Sequence, residues 1–578
     1  MIIRSKIPLF IIYGLSSLIF SCANVSKGKS QVLKEQQRQT KSNHNLSTVP
    51  IKKSFEFSTD VIFEDRTNQY FESPIIAQKI YLVDLNRDGY TDIVTLKEKY
   101  SSPTVYFFDP ASKMFKVAKY SIFPRGFRAS FLYFDDFNQD KLVDAVAGQF
   151  FMNVEYNVPP SQLLFGKKEK GIFKFEVNTN ITNKKMPNST ILPIDVDQDG
   201  QLEFLNAFWI GNKNGINQFF PIEFFSPSGF SVEVEDNKNL IYRTGSASWA
   251  AELCDLNNDS FVDILVANTS GYENYVLLAK RDNQMASYSS GHQKYSMLIK
   301  DSEGSGFILG NGNTLGYLCA DFNNDGLLDV ISYEEKRELQ DQTRDPIRIH
   351  YQHGVKHKNY PFSSLNFPIG LKNYSIKSVI DFDYDNDGDT DLLLENTGYP
   401  PFSKLMLFEN KNGDFFDITN KSGLEHLNPS GTNVIDLDGD GILEIIVGQS
   451  QVRAGNLSGN LKIYQQISPK KETHRIEIYL QGKQSNPTAI GATLVLTTKK
   501  WTKKTMVNYV RGGNSIQRSR GLNFSLGDQQ EVFVKIDWPI KKGKTSNHKI
   551  EFKPGEYFKQ VSICDDGRFL NGKLSCKF

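Results

Sequence analysis

One nine-residue acidic motif occurs seven times in this 578-residue chain, and no other feature restricts the fold as strongly. The copies are DLNRDGYTD (84–92), DFNQDKLVD (136–144), DVDQDGQLE (195–203), DLNNDSFVD (255–263), DFNNDGLLD (321–329), DYDNDGDTD (383–391) and DLDGDGILE (436–444). All fit D-x-[DN]-x-D-x-x-x-[DE], and their first aspartates lie 52 to 66 residues apart. A short apolar run enters each copy (YLV before Asp84) and another leaves it (ILVA after Asp263), the pattern of strands bounded by turn residues. Each unit then shows a hairpin signature, as in LLFGKKEKGIFKFEV (163–177) and LMLFENKNGDFFDIT (405–419). Four short strands per unit, seven times over, predict an all-β fold, a seven-bladed β-propeller over residues 54–468. One ring thus replaces the roughly four domains that length alone would suggest at about 150 residues each.

The ends of this region carry a closure signal. Phe63-Glu64-Asp65-Arg66-Thr67-Asn68 repeats the outermost strand of the sixth unit, Phe415-Phe416-Asp417-Ile418-Thr419-Asn420, whereas the seventh unit has no such strand after LKIYQQI (461–467). Residues 54–68 are therefore expected to complete the last blade and remove open sheet edges.

The motif itself is a candidate cation cage. Oxygen-bearing side chains at positions one, three and five share one side of a tight loop, glycine at position six permits a sharp reversal, and the acid at position nine closes the set. Oxygen-only, carboxylate-rich surroundings suit Ca²⁺, which takes about 6–8 ligands. The candidate ligands are Asp84, Asn86, Asp88 and Asp92 in loop one; Asp136, Asn138, Asp140 and Asp144 in loop two; Asp195, Asp197, Asp199 and Glu203 in loop three. They continue with Asp255, Asn257, Asp259 and Asp263 in loop four; Asp321, Asn323, Asp325 and Asp329 in loop five; Asp383, Asp385, Asp387 and Asp391 in loop six; Asp436, Asp438, Asp440 and Glu444 in loop seven. An EF-hand also begins D-x-[DN]-x-[DN]-G, but its closing glutamate falls at position 12 between helices, so that reading is rejected. Lys141 replaces glycine in loop two, which is expected to bind most weakly; DYDNDGDTD is the most acidic and is expected to bind most tightly. The competing reading makes the loops Asx-turns whose carboxylates cap backbone amides.

The N-terminus reads as an address. Residues 1–22 place Arg4 and Lys6 ahead of a 14-residue apolar run, Ile7 to Phe20, too short to span a bilayer as a helix of about 20 residues. Ile19-Phe20-Ser21-Cys22 resembles a bacterial lipobox, in which Cys22 becomes the lipidated first residue; the alternative is an ordinary signal peptide with an incidental cysteine. Residues 23–53 are polar and without apolar periodicity, as in a flexible tether. The expected location is therefore outside the cytoplasm, lipid-anchored to a bacterial membrane, at the outer membrane or cell surface.

The loops, their strands and the LFENKNGDFFDIT hairpin resemble the FG-GAP/VCBS repeats of integrin-type propellers, and that resemblance implies structural Ca²⁺ at the nonapeptides. Beyond the ring, NPTAIGATLVLT (486–497), VRGG (510–513), LNFSLGD (522–528) and VKIDWP (534–539) resemble the ASPIC/UnbV domain that follows such propellers in proteins similar to cartilage acidic protein. The matching positions are Asn486, Gly491, Ala492, Arg511, Gly512, Gly513, Phe524, Gly527, Trp538 and Pro539. Read alone, residues 472–562 are alternating apolar and polar runs with Gly, Asn and Lys-Lys turns, hence a small all-β domain, followed by a tail over 563–578. Cys564 and Cys576 can close a short loop in an oxidising compartment. Cys254 and Cys319 precede equivalent loops with a one-residue offset, so strand alternation is expected to aim them at opposite faces as buried free thiols.

Catalytic signatures are scarce. His350, His353 and His357 lie in IRIHYQHGVKHKNY, which aligns with a hairpin rather than the helix a zinc pair would need. No G-x-S-x-G, H-E-x-x-H or phosphate loop occurs. Lys+Arg 67 against Asp+Glu 66 leaves no global field for polyphosphate, and the lysines at 499–504 and 541–544 read as scattered turn residues without aromatic interleaving, so no nucleic-acid partner is expected. Two function classes remain: a calcium-rigidified binding or adhesion module that recognises an extracellular protein or glycan, and a polysaccharide-active lyase or hydrolase on the same scaffold.

Overall fold

The computed structural model describes residues 61–578 with internal gaps, the longest at 151–159, 236–246, 280–291, 299–312, 335–345, 355–361 and 367–373. The signal segment, the tether and Cys22 lie outside the described residues, as do Asp197, His357, Gly512 and Gly513. Among the described residues no helix is long and apolar enough to cross a membrane.

Every nonapeptide joins two antiparallel strands in the same register. The residue before position one pairs with position nine: Val83 with Asp92, Asp135 with Asp144, Ile194 with Glu203, Cys254 with Asp263, Ala320 with Asp329, Phe382 with Asp391 and Ile435 with Glu444. The first two strands of a unit are buried on both faces, which is why they read as unbroken apolar runs such as KIYLV and DIVTL. Outer strands keep one wet face, as in DFFD (Asp414–Asp417), where only Phe415 is buried. Seven sheets arise in this way among the described residues, and the inner strand of the first, Lys79–Val83, packs against that of the seventh, Pro429–Ile435. Asn433 Nδ2 donates to Ile80 O (3.1 Å) across this seam.

Closure follows the sequence signal. Phe63–Asp65 pairs antiparallel with Lys462–Gln466, Phe63 opposite Gln466, and becomes the fourth strand of the seventh sheet. The likeness to the sixth unit extends to side chains: Thr67 N–H donates to Asp65 Oδ1 (3.0 Å) as Thr419 N–H does to Asp417 Oδ1 (2.9 Å). The third and fourth sheets depart from four strands. The third has three, and Ser231–Glu235, next in the chain, instead joins the fourth sheet in parallel with His292–Leu298 to make five.

Cys254 and Cys319 are not free thiols; they form a disulfide with Cα atoms 5.8 Å apart. The alternation argument treats their strands as members of one sheet. They are the inner strands of neighbouring sheets packed face to face, so residues aimed at opposite sides of their own strands meet in the space between.

The C-terminal region has two four-stranded sheets. The first places His474–Gln481 between Leu522–Gly527 and Phe558–Cys564, the latter in parallel, and the second pairs Thr493–Thr497 with Thr502–Met506 and Glu531–Trp538. The first sheet continues past residue 562: Phe569–Asn571 adds a strand, and Cys564 is bonded to Cys576. Asp565 Oδ2 there accepts the amides of Lys483, Gln484 and Ser485 at 2.7 to 2.9 Å. The largest apolar core holds both regions together, with Leu253, Ile264 and Phe204 of the ring and Ile490, Leu494 and Tyr509 of the C-terminal domain in one cluster.

Candidate metal loops and the face they share

The loops share one hydrogen-bond design. At position one, Asp383 takes the amide of Asp387 on Oδ1 (3.2 Å) and that of Gly388 on Oδ2 (2.9 Å), and Asp84, Asp195, Asp255, Asp321 and Asp436 repeat the pair. At position five, Oδ1 takes the amide of position seven in every loop, from Asp88 with Tyr90 to Asp440 with Ile442, through Asp140, Asp199, Asp259, Asp325 and Asp387. At position nine the acid bridges strands: Asp391 accepts Tyr384 N–H (2.9 Å) and Asn410 N–H (2.7 Å), and Asp92, Asp144, Asp263 and Asp329 do the same. Amide capping does not by itself exclude a cation, since in loops six and seven acids that cap amides also converge on one another. Position six is left-handed throughout, which suits Gly89, Gly200, Gly326, Gly388 and Gly441 but puts Lys141 (φ 71°) and Ser260 (φ 67°) in a strained conformation.

Position three divides the loops. Asp383, Asp385 and Asp391 bring one oxygen each within 4.8 Å of one another in loop six, as do Asp436, Asp438 and Glu444 in loop seven. Loops one, two, four and five carry asparagine there, and its amide bridges the cage: Asn86, Asn138, Asn257 and Asn323 donate to the position-five aspartates at 2.8 to 3.1 Å. Burial pushes Asp383 and Asp436 up to about 7, against the pull of Lys503 on the first and with Glu477 of the C-terminal domain reinforcing the second; burial with like charge from the same loop takes Asp92 and Asp329 to about 8 and raises Asp391 and Glu444 well above the usual range. Carboxylates held this way favour a proton or a metal ion, so the donor chemistry of loops six and seven fits Ca²⁺.

Protein cations pair with the position-one carboxylates of two other loops. Arg87 Nη2, from loop one, lies 3.1 Å from Asp136 Oδ2 in loop two. Lys504 Nζ, from the C-terminal domain, lies 2.7 Å from Asp255 Oδ2 in loop four, and both side chains are almost fully buried, at 3% and 0% exposed.

Lys504 is one of several C-terminal residues on the acidic face. Its backbone N–H donates to Asp321 Oδ2 of loop five (3.0 Å), and Lys503 Nζ donates to Gly388 O of loop six (2.5 Å). Arg520 pairs with the fully buried Asp135 (2.6 Å), which also accepts Thr488 Oγ1 (2.8 Å), and Arg518 pairs with Asp381. Gln517 grips both the N–H and the C=O of Phe134 at 2.8 Å, acting as a short piece of strand. Position six of loop seven is pressed as well: a Cβ on Gly441 would stand 2.5 Å from the Phe558 ring. Sequence reasoning missed this docking. Lys503 and Lys504 are not turn residues but sit buried in the strand Thr502–Met506, and the apolar Trp501 and Met506 that flank them are the one signal that marks them.

The histidines form no cluster among the described residues. His350 is buried with Nε2 3.1 Å from Ser332 Oγ, burial pushing its pKa down to about 3, and His353 Nε2 is 2.7 Å from Ser363 Oγ. Of the positions shared with the ASPIC/UnbV pattern, Asn486 staples its own loop by two bonds to the backbone of Ile490 (2.8 and 2.9 Å), and Trp538 donates to Ser546 Oγ (3.0 Å). Between loops one and seven and the C-terminal domain opens a cleft of about 760 Å³, lined among others by Tyr70, Tyr90, Asp438, Glu477, Gln560 and Lys573.

Comparison with known proteins gives matching family models over two stretches. An FG-GAP-like repeat matches residues 341–447, and ASPIC and UnbV matches 482–551. The chain is 26% identical over 247 residues to cartilage acidic protein 1 of Homo sapiens and 25% identical over 242 residues to that of Mus musculus. These matches cover 40% and 39% of this chain and 34% and 33% of the relatives, so about a third of their length is spanned. Among solved structures, BBS1N in complex with ARL6DN is similar at 8% identity and a TM-score of 0.36, covering 70% of this chain and 97% of that one. The Dos1 propeller is similar at 9% identity and a TM-score of 0.28, covering 71% and 95%.

Proposed function

We infer that this FG-GAP-repeat propeller with its ASPIC/UnbV domain is a calcium-stabilised binding module of the bacterial cell surface, exported, lipid-anchored through Cys22, and recognising an extracellular protein or glycan. The observation that carries the calcium role is the convergence of three carboxylates at 4.8 Å or less in loops six and seven, the acids at positions one and nine pushed upward by burial. Here the ion is structural: the loops would hold it, and it would neutralise charge the fold has buried. The cleft beside loops one and seven supports the binding role, because exposed Tyr90 offers a ring face for stacking and Gln560 and Lys573 bring hydrogen-bonding groups of the kind a sugar needs to the same wall.

Metal analysis and melting test the first part. Purified protein should contain Ca²⁺, and EDTA should lower its melting temperature; a chain without Ca²⁺ whose melting ignores EDTA refutes it. For the second part, glycan-array and cell-envelope binding should fall on Tyr90→Ala without a change in melting. Turnover of a glycan, lost on a single substitution outside the calcium loops, would replace binding module with enzyme. Cys22→Ser should release the protein from the membrane fraction.

A further inference from the structure

We propose that loop four is not a calcium site: Lys504 of the C-terminal domain is its resident cation, and the resulting ion pair is a metal-independent latch between ring and C-terminal domain. This rests on the calcium reading of the other loops and concerns which of them the ion leaves to the protein.

The geometry of Lys504 is specific. Its ammonium donates to Asp255 Oδ2 at 2.7 Å and to Asn258 Oδ1 at 2.5 Å. The same Asp255 carboxylate holds the amides of Asp259 on Oδ1 (2.9 Å) and Ser260 on Oδ2 (3.1 Å), so the loop is folded around the lysine with Oδ2 shared between an amide and the ammonium. Position one is the acid a cage of this kind cannot do without. An ion held by Asp255 at about 2.3–2.6 Å would sit within a few ångströms of the ammonium. Two like charges that close, in a pocket that water does not reach, repel strongly. Asp255 is wholly buried, so the lysine cannot be displaced into solvent without undocking the strand that carries it.

Neighbouring loop five shows the contrast. Lys504 touches it too, but only with its backbone N–H on Asp321 Oδ2 (3.0 Å), a neutral donor that leaves the carboxylate its charge. One residue thus satisfies two loops differently, a full charge to four and a dipole to five. Loop four also lacks the position-six glycine and has Asn257 rather than an acid at position three, both of which weaken a cage. Without the Lys504 ammonium, Asp255 and Asp263 would remain as buried acids in a loop short of donors.

Ion counting on the full chain tests this. After equilibrium dialysis against Ca²⁺, Asp259→Asn in loop four should leave the number of bound ions unchanged, while Asp387→Asn at the same position of loop six should lose one. Loss of one ion in Asp259→Asn overturns the assignment. If the wild type binds no Ca²⁺ at all, the calcium reading of the whole set fails instead, and the two failures are distinct. Lys504→Met removes the charge and keeps the stem. It should melt below the wild type in EDTA and recover with Ca²⁺ as loop four becomes able to take an ion; co-melting with the wild type in EDTA would also overturn the latch.

Discussion

Loops four and six have the same register and nearly the same hydrogen bonds, yet they dispose of their negative charge in opposite ways. Loop six collects Asp383, Asp385 and Asp391 with oxygens within 4.8 Å and receives Lys503 only on the Gly388 carbonyl and the Thr390 hydroxyl, whereas loop four spreads one amide (Asn257) across its cage and receives Lys504 on the Asp255 carboxylate itself. The lesson is that a repeated motif specifies a charge to be neutralised rather than the neutraliser. Docking of a second domain can supply a cation as well as solvent can.

The largest effect that sharpens this comparison is on pH dependence without metal. Carboxyls raised to about 7 or 8 keep in the folded state protons that the unfolded chain gives up near pH 4. Their contribution is complete below about pH 4 and is lost as pH rises through the folded values. In EDTA the melting temperature should therefore fall from pH 5 to pH 8. Excess Ca²⁺ should flatten that slope, because a bound ion takes the place of the proton. A slope that is equally steep with and without Ca²⁺ would show that these acids do not share an ion.

Next in size is Lys504→Met. Removing one partner of a buried ion pair costs about 3–5 kcal/mol, read from urea unfolding in EDTA. The Arg87 pair on Asp136 is 40% exposed on the arginine side, so Arg87→Met should cost at most about 1 kcal/mol. Equal losses would erase the distinction between a latch and a surface contact.

The smallest effect is a conversion. Asn86→Asp gives loop one the acid that loop six has at position three, and should tighten Ca²⁺ by about tenfold, or about 1.4 kcal/mol, in a calorimetric titration. Asp385→Asn should weaken loop six by a similar factor. If neither moves, position three is not what separates the two kinds of loop.

The ring was legible because its information is local and repeated: strand, nonapeptide and strand recur within a few residues, and even the closing strand declares itself by the match of Phe63–Asn68 to Phe415–Asn420. What was illegible depends on packing between elements distant in sequence. Whether Cys254 meets Cys319 turns on two sheets standing face to face, which alternation along one strand does not encode. Ser231–Glu235 follows the third sheet in the chain but pairs in parallel with His292–Leu298 of the fourth, a partner too distant in sequence for any local pattern to encode. Lys503 and Lys504 look like solvated charge until the acidic face is built above them.

The clasp at the seventh sheet also bears on how the chain is made. Thr67 and Ile463, which share a hydrogen bond beside the closing strand, are 396 residues apart. At roughly 5–20 residues per second the first strand waits on the order of tens of seconds after synthesis before its partner exists. The entropy of joining ends so far apart is modest, since each doubling of the span adds only about 0.6 kcal/mol. Delay, more than cost, is the burden: until Lys462–Gln466 emerges, Phe63–Asp65 has no strand to pair with, and a nascent chain halted between loops six and seven would present its unpaired backbone to any other strand nearby.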